Sequence, residues 1–153
     1  MMGSDIPNVT YFNSGSAVSV GGGHFGMSIG FTDGLQIADF PNCETLNAWV
    51  LYNHPNLEEV YLPKMKTSGL MFRSTPKLSF VYVGDQCTSL SDFFSLSDVT
   101  SCTCVINTTT PPSATAVASQ WGNVQVYVPD NSVSSYQQHS DWSGISSQIH
   151  PIS

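Results

Sequence analysis

Gly21-Gly22-Gly23-His24-Phe25-Gly26 has the G-x-G-x-x-G spacing that cradles a pyrophosphate. That chemistry needs a helix N-terminus behind the loop, so that backbone N–H groups meet the phosphates. Here Phe25, Met27, Ile29 and Phe31 alternate with Gly26, Ser28 and Gly30, which is strand periodicity. A turn is expected there, and no nucleotide. Glu58 and Glu59 could be imagined as a paired-carboxylate hydrolase, but adjacent strand residues point to opposite faces. Ser, His and Asp are all present, but no nucleophile elbow is expected among them, and with 23 serines a combination of the three carries little information. Cys43, Cys87, Cys102 and Cys104 form no C-x-x-C pair, and no neighbouring histidine completes a zinc spacing. They read as small buried hydrophobes, and spacing assigns no disulfide. The expectation is no catalytic constellation, no cofactor and no metal, hence no enzyme.

Charge narrows the partners. Four basic and 11 acidic residues among 153 give a net charge of −7. An acidic chain lacks the basic footprint of nucleic-acid binding and of docking on anionic lipid. No apolar run is long enough for a membrane span. The start, from Met1 to Pro7, shows neither a basic nor an apolar signal-peptide region. Serine (23) and threonine (12) dominate the polar residues, which favours strands and turns over charged helices.

The elements that must position any site emerge from a repeat. Pro55-Asn56-Leu57-Glu58-Glu59-Val60-Tyr61-Leu62-Pro63 overlies Pro76-Lys77-Leu78-Ser79-Phe80-Val81-Tyr82-Val83-Gly84 in a shared Pro-x-Leu-x-x-Val-Tyr-apolar frame. Inward pairs extend the frame in both directions: Ala38/Phe40, Val60/Leu62, Val81/Val83, Cys104/Ile106 and Val126/Val128, spaced by 22, 21, 23 and 22 residues. Proline after Phe40, Leu62 and Val128 ends those strands, because it cannot donate to a ladder. Cys43, Met65 and Cys87 follow as a second column. Short apolar stretches come next: Leu46-Trp49-Val50, Leu70-Phe72 and Leu90-Phe93-Phe94-Leu96. These are expected as short helical turns or irregular backbone. One short strand per repeat cannot bury its own apolar face, so the repeats must stack.

These residues resemble the BspA-type leucine-rich repeats of gut and oral bacteria and their phages. The phrase Pro55 to Pro63 carries that likeness. So does the ending: Thr110-Pro111-Pro112, then Val126-Tyr127-Val128-Pro129, Tyr136, Trp142 and Ile149-His150-Pro151-Ile152. The resemblance covers roughly residues 35 to 153. It departs in being short and in the weak leucine positions of the first and fourth repeats. It implies a β-rich, right-handed solenoid of about five repeats with one parallel sheet, and a binding role. Residues 1–34 are expected as an N-terminal β-hairpin cap, 35–128 as the repeats and 129–153 as a helical C-terminal cap, all one domain. In that cap Pro129-Asp130-Asn131-Ser132 stops the strand and offers N-cap residues; Val133, Tyr136, Trp142, Ile145 and Ile149 supply an apolar side.

Parity then names a candidate site. With Val60 and Leu62 inward, the outward column reads Asp39, Tyr61, Tyr82, Val105 and Tyr127, with Ile37, Glu59, Phe80, Thr103 and Gln125 beside it. Tyr61, Phe80, Tyr82 and Tyr127 are its candidate contact residues. Aromatic rings on an open face suit recognition, and they also stabilise a sheet across strands. All four basic residues, Lys64, Lys66, Arg73 and Lys77, fall within one short stretch and are expected to flank the Tyr61 strand. The expected function is a non-catalytic binding module at a bacterial surface, adhesive in character and recognising a protein or a glycan, with an acidic, aromatic-tolerant partner. The alternative is a structural component of a phage virion or surface assembly, with self-association. The expected location is extracellular, on the cell surface, or in a virion.

Overall fold

The computed structural model describes residues 10–20, 34–46, 50–95 and 97–153. Among the described residues every strand pairing is parallel, the strands form three open sheets, and helices are few and short. The broad sheet runs Tyr11–Asn13, Ile37–Asp39, Glu59–Leu62, Phe80–Val83, Cys102–Ile106, Val124–Val128 and Ile149–Pro151, in chain order across its width. Ile37 lies opposite Glu59, Glu59 opposite Phe80, Phe80 opposite Thr103 and Thr103 opposite Gln125. Those offsets are the 22, 21, 23 and 22 of the sequence repeat.

Alternation along each strand decides which side is core. Ala38, Val60, Leu62, Val81, Val83, Cys104, Ile106, Val126 and Val128 are fully buried, and Leu57 and Leu78 at the strand entrances lie with them. The residues between them remain partly exposed. β-branched side chains suit such half-covered strands.

Between the broad-sheet strands lie turns, a short helix at Val117–Gln120 and, beyond the helical turns or irregular backbone expected there, two smaller sheets. Ser19–Val20, Thr45–Leu46, Thr67–Ser68, Ser89–Leu90 and Ser113–Ala114 form a five-stranded sheet. Leu51–Tyr52 and Phe72–Arg73 form a two-stranded one. Each ladder is two residues long, too short for period-2 alternation to show in sequence. Backbone bonds run on through the preceding corner, from Glu44 N–H to Val18 O, Lys66 N–H to Glu44 O and Thr88 N–H to Lys66 O. The second residue of each five-sheet strand (Val20, Leu46, Ser68, Leu90 and Ala114) is buried.

The N-terminal stretch is not paired as a hairpin where it is described. Tyr11–Asn13 adds parallel to Ile37–Asp39, and Ser19–Val20 adds parallel to Thr45–Leu46. Phe12 therefore joins the inward row, its ring 5.7 Å from Phe40. Residues 21–33, which hold the glycine-rich turn and the Phe25 to Phe31 alternation, lie outside the described residues, as do Trp49 and Leu96.

At the other end a short 3-10 turn, Asp130–Ser132, leads into a helix at Val133–Gln138, then a 3-10 segment at Ser143–Gln148. Ser132 makes no capping bond to the helix; its hydroxyl donates to Asn131 Oδ1 instead. Tyr136, Trp142, Ile145 and Ile149 are buried as the apolar side of this segment. Trp142 packs edge-on against Trp121 at 5.1 Å and against Tyr136 at 5.5 Å, and its indole N–H donates to Pro112 O at 2.8 Å. The chain then returns as the Ile149–Pro151 strand, which pairs parallel with Val124–Val128. Pro151 stands at the outer edge, where a missing N–H discourages another strand.

All four cysteines are buried and unpaired. Burial pushes the thiols of Cys87 and Cys102 up to about 12, and that of Cys104 well above the ordinary range. The thiolate is the reactive form, and at neutral pH these groups hold almost none. Cys43 sits in the coil next to the N-terminal strands, its thiol donating to Ala17 O at 3.1 Å. Burial raises the Cys43 thiol too, so a thiol reagent at neutral pH is expected to reach it only through local opening of the N-terminal strands, and Cys87, Cys102 and Cys104 upon unfolding. Mass spectrometry with a pulse of reagent reads the order; early labelling of Cys104 would contradict this packing.

Candidate functional site

In-register stacking puts one residue from each strand into a common row on the outer face of the broad sheet. One row runs Asn13, Asp39, Tyr61, Tyr82, Val105, Tyr127 and His150. Its neighbour runs Tyr11, Ile37, Glu59, Phe80, Thr103 and Gln125. Adjacent parallel strands are about 4.8 Å apart, so residues of a row are lateral neighbours.

Tyr61, Phe80 and Tyr82 come together. The Tyr61 and Phe80 rings are 5.8 Å apart and tilted by 48°. Tyr127 lies beyond Val105 and stands instead beside His150, ring centroids 5.2 Å apart. His150 Nε2 is 2.7 Å from Gln125 Oε1. The aromatic column is thus two groups with a valine between them.

Tyr61 and Tyr82, without Phe80, help to line a depression of about 570 Å³ together with Tyr11, Ile37, Asp39, Glu59, Pro41 and Pro63. Its polar contacts are internal. The Tyr11 hydroxyl donates to Asp39 Oδ2 at 3.1 Å, and Asn13 Nδ2 donates to the same oxygen at 3.3 Å. The Tyr61 hydroxyl donates to Glu59 Oε2 at 3.0 Å. Asn107 Nδ2 donates to the Tyr82 hydroxyl at 3.4 Å. Desolvation raises the Tyr61 phenol above its ordinary value, and its bond to Glu59 and the charges of Glu59 and Asp39 raise it further. A phenolate beside two carboxylates is disfavoured, so this hydroxyl stays a donor.

The basic residues do not gather beside this depression. Lys66 pairs with Glu44 at 2.8 Å, and Lys64 donates to Asn42 Oδ1 at 3.0 Å, both at the corner leading to the five-stranded sheet. Arg73 belongs to the two-stranded sheet, its guanidinium 5.4 Å from the Tyr52 ring centre. Lys77 donates to Asn56 Oδ1 at 2.8 Å in the turn before the Phe80 strand. Residues close in sequence are drawn out along the path of the chain, because 13 positions cover more than half of one repeat. The charges lining the depression itself are those of Asp39 and Glu59.

Tyr11 and Asn13 were not legible as part of the face. Tyr11-Phe12-Asn13 has the inward-outward pattern of a strand, but it lies 26 residues before its partner, outside the 21–23 spacing of the repeat. Contrary to the expectation of no nucleophile elbow, the sequence carries Gly26-Met27-Ser28-Ile29-Gly30, which has the G-x-S-x-G spacing. It lies outside the described residues. Among the described residues no group of three His, Cys, Asp or Glu is placed to hold a metal ion, and no helix is long and apolar enough to cross a membrane. No protein-family model matches the chain, and no curated protein matches it.

Proposed function

We propose that this chain is a non-catalytic binding module: a leucine-rich-repeat solenoid of the BspA type that meets a protein or glycan at a bacterial surface through the outer face of its broad sheet. The observation that carries the reading is the register. Six successive parallel pairings place Tyr61, Phe80 and Tyr82 side by side on one open face, over a continuous apolar core. Repeat offsets of 21–23 residues support the solenoid, since each coil returns to the sheet after one circuit. Half-exposed rings contribute area at low entropy cost, which supports recognition.

The test is binding of the labelled protein to a panel of intact bacterial cells. Binding is expected, and Tyr61→Ala with Tyr82→Ala is expected to abolish it while melting remains cooperative. Unchanged binding by the double variant would remove this face from the proposal. Light scattering is expected to give the monomer mass; discrete larger particles would favour the virion or assembly subunit instead. Screens with ester, peptide and glycoside substrates are expected to read background, and a turnover lost in Ser28→Ala would make the protein an enzyme.

A further inference from the structure

Resting on the reading of the broad sheet as the contact face, we propose that the depression around Tyr61 receives lysine or arginine side chains of a basic protein segment. Charge separates this occupant from a neutral sugar. Glycan recognition needs donors and acceptors free to meet hydroxyls. Here the Tyr11 and Tyr61 hydroxyls give their protons to Asp39 and Glu59, and the Tyr82 hydroxyl, which accepts from Asn107, is the one phenol of the three with a proton still to donate. What the surface offers outward is ring area and carboxylate charge. An ammonium or guanidinium group is the partner that uses both, through the π-face and through ion pairing.

Charge complementarity points the same way. Among the described residues the two outward rows hold Asp39 and Glu59 and no lysine or arginine. The nearest cations are held elsewhere: Lys66 is neutralised by Glu44, and Lys64 is directed to Asn42. The whole chain carries a net charge of −7, so its long-range field also draws a basic partner in. The depression is open on one side, and its walls come from successive strands, which fits a side chain reaching in from an extended segment. Asp39 and Glu59 lie on adjacent strands, two positions apart along the sheet, and so are spaced to meet two neighbouring cations.

The experiment is a calorimetric titration at low salt with an acetylated, amidated pentalysine peptide, with cellohexaose and trigalacturonic acid run in parallel. Pentalysine is expected to bind, to weaken with added salt, and to lose at least about fivefold in affinity in Glu59→Gln and in Tyr61→Ala. Asp85→Asn has the same net charge as Glu59→Gln and alters an exposed acid that does not line the depression; it is expected to change affinity by less than about twofold. Equal losses in Glu59→Gln and Asp85→Asn would overturn the proposal, because the peptide would then be sensing only overall charge. Binding of either sugar, sensitive to Tyr61→Ala, without binding of pentalysine would overturn it too, while leaving the face as a contact surface. No binding of any of the three would remove the depression from the inference, and the cell-binding test would then judge the face alone.

Discussion

Val81→Asp leaves the protein unfolded at neutral pH. Val81 is fully buried at the centre of the broad sheet, between Val60 and Cys104 on the flanking strands. The substitution loses the burial of the valine, worth about 1.5–3 kcal/mol. It also places an unpaired carboxylate in the core, and an uncompensated buried charge costs about 3–5 kcal/mol more. A domain of this size has only about 5–15 kcal/mol in hand. The side chain next door gives the control. Tyr82 is half-exposed on the opposite face, so Tyr82→Asp is expected to stay folded, within about 1 kcal/mol of the parent. Circular dichroism melts of the two variants read the strand's parity directly. A cooperative transition for Val81→Asp, or loss of it for Tyr82→Asp, would mean that the strand shows its other face to the core. The candidate site would then be buried, because a one-residue slip exchanges the two faces.

Gly84→Ala is expected to destabilise by at least about 3 kcal/mol, above the usual overpacking cost because the obstruction is backbone. A Cβ at Gly84 would lie 1.8 Å from the Pro63 carbonyl oxygen and 2.5 Å from its carbon. Neither atom belongs to a flexible side chain. The Gly84 N–H also donates to Leu62 O at 3.1 Å, so the strand cannot withdraw without breaking that bond. For a chain of this length, 3 kcal/mol corresponds to a fall of about 6–12 °C in Tm. Gly84→Pro would place at this position the residue that follows the inward pair at Pro41, Pro63 and Pro129, yet it removes the same N–H and is expected to fare no better. Gly122→Ala is the neutral comparison, since nothing lies within 4 Å of its added carbon. Equal melting temperatures for Gly84→Ala and Gly122→Ala would show that Gly84 and Pro63 are not in contact. The close approach matters for the depression as well, because Pro63 helps to line it.

Sequence alone determined the strands of the central repeats, their register and their inward faces. The reason is periodicity at two scales. Alternation of Val60, Leu62, Val81 and Val83 with Tyr61, Phe80 and Tyr82 sets the faces, and a spacing of 21–23 residues aligns them, so each strand of the broad sheet gives the same answer. The apolar residues of the C-terminal segment were equally legible, since Tyr136, Trp142, Ile145 and Ile149 form an apolar side that is buried in the structure. Tertiary structure decided the rest, wherever the signal was too short or too far away to be periodic. The five-stranded sheet is built from two-residue ladders, each secured by its neighbours and by no pattern of its own. The Tyr11–Asn13 strand joins the broad sheet across an irregular spacing, and it brings Tyr11 onto Asp39. The lysines that adjoin Tyr61 in sequence are carried round the corner to Glu44 and Asn42, because each turn of chain changes direction within a few residues. Parity along the strands already set Asp39 and Glu59 outward; what the tertiary structure decided is that Tyr11 and Asn13 close onto Asp39 while Lys64 and Lys66 turn to Asn42 and Glu44, so the charge of the face is negative.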